Sequence, residues 1–467
     1  MLHRPAGILF GLLILLLLGG PGARVAAAAP LSLPECISLA QGQAAQVVLG
    51  ERQQEVDRTR LDAARRRFFP KVDLDLLHQP KVDYFGRPLE DKDVFATEMK
   101  LTQPIYHSGA ITSRYRAARQ GLVRSRLERR RAALEAGLAV VPLYFKVLAS
   151  RDLLRLHRSL VAKAQRLVDL ARQGVQLGGL RREELLKAQA KLFEVKYDLA
   201  RVRSRMLSSG FELKALLGLE RHRALDLKPQ QPAFRPPPEE VFLRRALEKN
   251  PLVQFYRAEE LYRRLALEAA RDQDGPQVDL VGRYGFEGDD FPGEEKYYGL
   301  MVQLKMRLGD NSATAFYDHE HQFENPTALY YRERDLRRKG LRFSFLDGGS
   351  QQSELAQALL ERHRARLELR DQRRKLATRV HSLYQELRRN DSLYHLAQGQ
   401  VSLERERLET TRTRYQNGAA TPAEVLEREL DLAQAQARLI QARRDRSRVL
   451  TLLCLLGGGS LVMEDEP

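Results

Sequence analysis

Two different spacings of apolar residues occur along this chain, and each predicts a different element. In several stretches apolar residues recur at gaps of three and four, the seam of packed helices. Three such seams are Leu185, Ala188, Leu192, Val195, Leu199, Val202 and Met206; Leu426, Leu430, Ala433, Ala437 and Ile440; and Leu376, Val380, Leu383 and Leu387. They predict two long, coiled-coil-like helical hairpins, over 110–217 and 350–456.

The predicted hairpins are long and have recognisable tips. A continuous helix over 110–177 would be about 100 Å long at ~1.5 Å per residue, although we expect Pro142 to bend or interrupt it. The heptads break at Gly178 and Gly179 in the first hairpin and at Gly418 in the second. Glycine suits the positive φ that ends a helix, so these positions predict the two turns.

The second tip also carries a helix-start signal. Thr421 is followed by Pro422, which is typical of an N-cap residue and the first helical position. Glu424 stands three residues after Thr421 and predicts a capping box.

Between the hairpins the spacing changes to two. Every second residue of Tyr298–Leu308 is apolar, and Val72–Leu76, Phe95–Thr102 and Val278–Phe286 show weaker versions of this alternation. The pattern predicts four amphipathic strands, at about 71–79, 94–104, 277–287 and 296–308.

The polar sides of the predicted strands suggest a water-filled lumen. They carry Asp73, Glu98, Lys100, Lys305 and Arg307. Strands of about ten residues can cross an outer membrane, but four strands leave two unpaired edges that lipid cannot satisfy. A membrane-spanning version must therefore close with further copies of the chain. A soluble sheet packed on helices is the alternative that alternation alone does not exclude.

The chain is a duplicated unit. Ala63–Leu74 recurs as Ala269–Leu280, an offset of 276 − 70 = 206, and Leu216–Gly218 recurs as Leu455–Gly457, an offset of 455 − 216 = 239. Because 239 − 206 = 33, the second copy contains an insertion, placed at about 309–340.

The insertion contains Asp318, His319, Glu320 and His321, all possible ligands of a divalent metal. We favour a solvated polar loop on the periplasmic side, with no metal. The predicted organisation is then a signal peptide (1–28), a first repeat (29–218), a Pro-rich linker (219–240), a second repeat (241–457) and a short tail (458–467).

The first residues indicate export. An apolar run from Ile8 to Leu18 precedes small residues at Ala26–Ala29, the pattern of a cleaved secretory signal peptide. No later stretch predicts a transmembrane helix, so membrane insertion would use strands.

Composition narrows the function classes. The net charge of +17 is spread along helical stretches, and no nucleic-acid-binding motif accompanies it, so we expect no nucleic acid partner. The two cysteines are too few for a disulfide framework. The sequence has no phosphate loop, zinc-protease helix or nucleophile motif, so we expect neither an enzyme nor a cofactor.

The order of these features resembles the outer-membrane efflux protein family, the TolC-like exit ducts. The resemblance rests on Ala63–Leu76 and its repeat, on Gln103–Gly109 and Phe343–Gly349 where strands give way to helices, and on Tyr415–Gly418 with the helix that follows. It implies a homotrimer in which four strands per chain close a twelve-stranded β-barrel, continued by a periplasmic α-helical barrel.

The resemblance also implies site residues and partners. Tips at Gly178, Gly179, Gly418 and Thr421 would dock a periplasmic adaptor (membrane fusion) protein coupled to an inner-membrane pump. Family members carry acidic residues after the second tip, where this chain has Glu424 and Glu427. Three chains would supply 3 × 2 = 6 carboxylates, a ring that favours cations. Alternatively, Glu424 only caps its helix and pairs with Arg428.

The predicted function is a passive outer-membrane channel of a tripartite efflux or type I secretion system, opened by adaptor docking. The alternative is a periplasmic adaptor or coiled-coil scaffold, which would need no lipid-facing strands. Drugs, metals, polysaccharide and proteins all remain compatible as cargo.

Overall fold

The structure is a computed structural model that describes residues 30–79, 94–288, 291, 293, 295–309, 311–324, 332–345, 349–458 and 463–465. The predicted signal peptide, residues 80–93 between the first two predicted strands and most of the tail lie outside these residues.

Two pairs of very long helices dominate the described chain. In chain order the helices are α1 (Leu33–Gln43), α2 (Ala45–Arg66), α3 (Ala110–Gln176), α4 (Arg182–Leu216), α5 (Glu239–Lys249), α6 (Pro251–Asp272), α7 (Gly349–Gln416) and α8 (Pro422–Leu456). The strands are β1 (Lys71–Gln79), β2 (Val94–Tyr106), β3 (Gln230–Pro232), β4 (Gln277–Gly288), β5 (Glu295–Leu308), β6 (Asn311–Glu324), β7 (Arg332–Ser344) and β8 (Met463–Asp465).

The two halves repeat the same helices. Helices α1 and α5 each have 11 residues, α2 and α6 each have 22, and α4 and α8 each have 35. Helices α3 and α7 have 67 and 68 residues. The predicted duplicated architecture of helical hairpins joined to strands is confirmed.

Helix α3 covers nearly the range expected from the sequence. It continues through Pro142, so the interruption considered at that residue does not occur. It also contains an apolar window that is long enough to cross a membrane. That window contains Val140, Val141, Tyr144 and Phe145, all buried in the main hydrophobic core. The apolar residues therefore serve the interior of the protein, which periodicity alone does not distinguish from a membrane span.

The main core lies where the two repeats meet. Helices α1, α3, α4, α5, α7 and α8 all contribute to it. The linker between the repeats is tied to this core by tyrosine hydroxyls: Tyr144 donates to the carbonyl of Lys228 at 2.5 Å and Tyr384 to that of Pro237 at 2.6 Å. Strand β3 of the linker pairs with β8 of the predicted tail, so the two segments close over the same region.

The large sheet has six strands, where the sequence predicted four. Its order is β1-β2-β4-β5-β6-β7, with every neighbouring pair antiparallel. The predicted loop 309–340 is instead mostly a β-hairpin formed by β6 and β7, and β6 pairs with β5 along its whole length. We call β6–β7 the extra hairpin.

The extra hairpin also differs from the expectation that the insertion stays on the side of the helices. Phe323, near the end of β6, lies opposite Lys296, near the start of β5. The end of β6 and the start of β7 therefore lie at the end of the sheet away from the helices. Two added strands, unlike one, return the chain to the side on which α7 begins.

Candidate functional site

The strand register gathers the predicted lumen residues on one face of the sheet. Asp73 lies opposite Lys100, and Lys100 lies opposite Arg283. Glu98 shares this face because it is two residues from Lys100. Arg283 lies opposite Gly299, so Gly299 is at a position on the same face. Lys305 and Arg307 share this face because each is an even number of residues from Gly299 along β5. We call this side the polar face.

The extra hairpin adds an ionic cluster to the polar face. Arg283 of β4 contacts Asp318 at 2.6 Å and Glu320 at 3.1 Å, both on β6. Arg338 of β7 contacts Asp318 at 3.4 Å and also bonds to Glu320. Both carboxylates are buried. A buried carboxylate needs a paired charge, so this cluster ties three strands together across the polar face.

The opposite face is apolar and exposed. Its large apolar residues that are at least 42% exposed are Val72, Leu74, Leu76, Met99, Leu101, Tyr284, Tyr298, Leu300, Val302, Met306, Tyr317, Leu341 and Phe343. We call this side the apolar face. An exposed apolar surface spread over six strands is typical of a surface that contacts lipid or another protein.

The insertion's metal-ligand motif is split by the strand. Asp318 and Glu320 lie on the polar face with the arginines, whereas His319 and His321 lie on the apolar face, where Asp335 is 2.5 Å and 3.6 Å from them. Among the described residues, no group of three or more His, Cys, Asp or Glu side chains is arranged to hold a metal. Adjacent residues of a strand point to opposite faces, so the four cannot converge.

The two helical tips have the same geometry. Gly178 and Gly418 have φ of 75° and 74°. The N–H of Gly179 bonds to the carbonyl of Gly174 at 2.9 Å, and that of Ala419 to Arg414 at 2.8 Å. Each tip also has the shorter inner bond of a Schellman motif, from Gly178 to Val175 and from Gly418 to Tyr415.

The predicted cap of α8 is half formed. The Thr421 hydroxyl accepts from the Glu424 N–H at 3.3 Å and contacts the Glu424 carboxylate at 3.4 Å. A full capping box would direct that carboxylate to the Thr421 N–H. Arg428 pairs with Asp431 at 2.9 Å, so the expected Glu424–Arg428 pair is not formed.

The second predicted gate residue joins the two hairpins. Glu427 of α8 lies 3.4 Å from the Lys191 ammonium of α4. Glu424 and Glu427 are both exposed and are three residues apart, so they share one side of α8. The positive charge of Lys191 offsets the negative charge of Glu427.

Sequence reasoning missed a third glutamate in this region. Glu429 is buried and bonds to Lys163 of α3 at 2.9 Å and to Arg412 of α7 at 2.5 Å. It therefore connects three helices. The signal was available, because Glu429 lies three residues after the seam residue Leu426, and a charge on a packed seam requires partners.

Family comparison decides between the channel and the scaffold. The sequence profile described as outer membrane efflux protein matches residues 36–219 and 339–459. The chain belongs to the outer membrane efflux protein family. Its membership makes it an efflux channel of the outer membrane and not an enzyme, and it removes the adaptor alternative. No curated protein sequence matches the chain.

Solved outer-membrane channels have the same fold as this family member. The VceC protein of Vibrio cholerae is 14% identical with a TM-score of 0.69, over 91% of this chain and 96% of VceC. The open-state MtrE channel of Neisseria gonorrhoeae is 16% identical with a TM-score of 0.68, over 91% and 89%. The CmeC channel of Campylobacter jejuni is 15% identical with a TM-score of 0.66, over 92% and 86%.

Part of this efflux protein lies outside the family match. Residues 220–338 are not covered by the profile; they contain α5, α6, β4 and β5 as well as β6 and the first half of β7. The extra hairpin up to Arg338 therefore lies outside the matched residues.

Proposed function

We propose that three copies of this efflux protein form one passive conduit across the outer membrane. The observation that carries the proposal is the two-faced sheet. A closed barrel needs an apolar outside against lipid and tolerates a charged, wet inside, and the apolar and polar faces supply these two surfaces.

The edges of the sheet explain why several copies are needed. Within the described residues, β1 and β7 each pair with a strand on one side only. Unpaired backbone N–H and C=O groups cost several kcal/mol each in hydrocarbon. Pairing the β7 edge of one copy with the β1 edge of the next removes both edges from lipid, and a ring of copies removes them all.

The helices extend the conduit into the periplasm. Strands β1, β2, β4 and β7 each connect to a long helix at the same end of the sheet, through α2, α3, α6 and α7. With the signal peptide (1–28) cleaved after export, the helices lie on the periplasmic side and the turns of the strands lie outside the cell.

The helical tips are the proposed docking sites for a periplasmic adaptor, coupled to an inner-membrane pump. Leu177 at the first tip is 87% exposed, beside Gly178 and Gly179. At the second tip, Gly418 and Thr421 occupy the equivalent turn. An adaptor that binds the open tips more tightly than the closed tips shifts the channel toward its open state.

Glu424 and Glu427 are the proposed selectivity residues at the periplasmic entrance. Their carboxylates on an exposed side of α8 would form an acidic ring in the assembled channel. Because Lys191 pairs with Glu427, we expect Glu424 to supply more of the net negative charge of this ring.

The gate proposal is tested by reversal potentials in planar lipid bilayers under a KCl gradient. Glu427→Gln leaves Lys191 without its carboxylate, so cation preference should fall. Lys191→Met leaves Glu427 without its cation, so cation preference should rise. Glu409→Gln removes an exposed carboxylate on α7 and serves as the control. If Glu427→Gln and Lys191→Met both behave like the control, the assignment of Glu427 as a selectivity residue is wrong.

A further inference from the structure

We infer that the extra hairpin is part of the membrane barrel, so that each copy contributes six strands and three copies close a barrel of 3 × 6 = 18 strands. The inference rests on the proposed trimeric conduit. It assigns the interface between copies: the β7 edge of one copy pairs with the β1 edge of the next.

The extra hairpin is joined to the rest of the sheet by backbone pairing and by side-chain contacts. Its backbone pairs with β5 from Leu308 to Lys296, which occupies the edge through which a four-strand sheet would join its neighbour. Its side chains are bonded to the core sheet by Arg283, which holds Asp318 and Glu320 on the polar face. A second copy therefore meets β7 and not β5.

On the extra hairpin, apolar residues cover a shorter length of the apolar face than on β5. On the apolar face of β7 only Leu341 and Phe343 are apolar, and they are followed away from the helices by Lys339, Arg337 and Asp335. Directly across the sheet, Arg337 lies level with His319, and His319 lies level with the lipid-type residue Leu300. A membrane running straight across the strands would bury these charges.

The apolar band instead crosses the sheet diagonally. Its centre moves from Leu74 on β1 to Gly282 on β4, Val302 on β5, Ala315 on β6 and Phe343 on β7. The strand register gives the row of residues directly across the sheet from Leu74. This row is Met99 on β2, Tyr284 on β4, Tyr298 on β5, His321 on β6 and Asp335 on β7. The centre on β7 is therefore displaced by 343 − 335 = 8 residues from the position level with Leu74.

This displacement matches tilted strands in a closed barrel. Eight residues at ~3.3 Å each are about 26 Å along the strands, and five steps of ~4.8 Å are about 24 Å across them. The corresponding tilt is about 45°, close to the ~35–45° of strands in membrane barrels. In a barrel tilted this way the band is level. Asp335 and Arg337 then lie about 19 and about 14 Å from the level of Phe343 along the membrane normal, beyond the ~12 Å half-height of the apolar band of a membrane barrel. Lys339 lies about 9 Å from that level, near the edge of the band, where its long side chain reaches toward the headgroups.

The diagonal band also predicts the register between copies. From β2 onward, the centre of the band moves about two residues toward the helices with each successive strand. If the same shift continues from β7 of one copy to β1 of the next, Leu74 lies two residues nearer the helices than the residue opposite Phe343. Phe343 of one copy should therefore lie opposite Leu76 of the next. A barrel of 18 strands would be 18/12 = 1.5 times as wide as the twelve-stranded barrel expected from the sequence, since diameter grows about linearly with strand number.

Disulfide crosslinking of the full-length mature protein tests the interface. In one variant, Leu76→Cys and Phe343→Cys are combined; in the matched variant, Leu76→Cys is combined with Leu304→Cys on β5. Membranes are oxidised and the chains separated under denaturing conditions. We expect the first variant to lose its monomer band to species of two and three linked chains, and the second to remain monomeric.

The native thiols should not interfere. Cys36 and Cys454 are both buried and free. Burial, with a smaller contribution from the charge of Glu35, raises the pKa of the Cys36 thiol to about 12, and burial raises the pKa of Cys454 as well. The reactive thiolate is therefore scarce at either position.

The possible failures are distinguishable. Linked chains from the Leu304 variant, or trimers in which Phe343→Cys does not link to Leu76→Cys, would overturn the six-strand interface and leave the trimeric conduit intact. Absence of any trimer in the parent protein would overturn the proposed function itself.

Discussion

At the residue scale, the two tip glycines show how a sequence signal becomes a functional position. Gly178 and Gly418 were predicted as turns because the heptads break there, and the structure gives both a positive φ and the same Schellman bonds. Neither position has a neighbouring atom within 4 Å of a would-be Cβ. Glycine is therefore required at both tips by the positive φ of the backbone and not by a lack of space for a side chain.

The tips provide a stability test with an internal control. Gly178→Ala and Gly418→Ala should each destabilise the protein by about 1–2 kcal/mol, because an L residue is strained at positive φ. Gly399 lies inside α7, also with nothing within 4 Å, so Gly399→Ala should stabilise it by about 0.5–1 kcal/mol. Thermal melting in detergent measures both effects. Tip variants that melt no lower than the parent would contradict the assigned backbone conformation.

Residues whose role depends on another element were the ones that sequence reasoning missed. Glu427 was placed on α8 correctly, but its partner Lys191 lies in the other hairpin, 427 − 191 = 236 positions earlier in the chain. Glu429 was overlooked for the same reason, since Lys163 and Arg412 approach it from two other helices. Periodicity identifies a helix face, whereas the partner of a charge depends on how the hairpins pack.

At the element scale, strong periodicity was predicted well and mixed periodicity was not. Strand β5 alternates through six apolar positions, and its predicted range of about 296–308 is close to the observed Glu295–Leu308. Strand β7 alternates only through Leu341 and Phe343 before its outward positions become charged. A strand that rises above an apolar band loses the pattern by which strands are recognised, and so the extra hairpin was taken for a loop.

The ionic cluster should govern how firmly the extra hairpin is held. Arg283→Met removes the guanidinium between two buried carboxylates, although Arg338 still contacts both. We expect the stability of the assembly to fall by about 3 kcal/mol, in the range for breaking a buried ion pair. The temperature at which the assembly dissociates in denaturing gels measures this loss.

Lys305→Met is the matched control for the cluster, since it removes an exposed cation from the same polar face. It should leave the dissociation temperature nearly unchanged, because exposed charges contribute less than about 1 kcal/mol. Equal effects of the two substitutions would show that the cluster does not hold the extra hairpin in the sheet.

At the scale of the whole molecule, the duplicated plan determines how the parts align. Both repeats place a helical hairpin tip at one end and strands at the other, joined by the core in which α1 and α5 cover the long helices. The family and its fold were predictable because they depend on repeated elements in a fixed order. The strand number was not, since it depends on a segment, β6–β7, that occurs in one repeat only.

The measurement that tests the account most directly is the mass of the mature protein extracted from outer membranes in mild detergent. The account predicts a complex of three chains that runs as a trimer in denaturing gels until heated and then migrates as one chain. A monomer that stays in aqueous solution without detergent would contradict it, because the six-stranded sheet would then keep both edges and its apolar face in water.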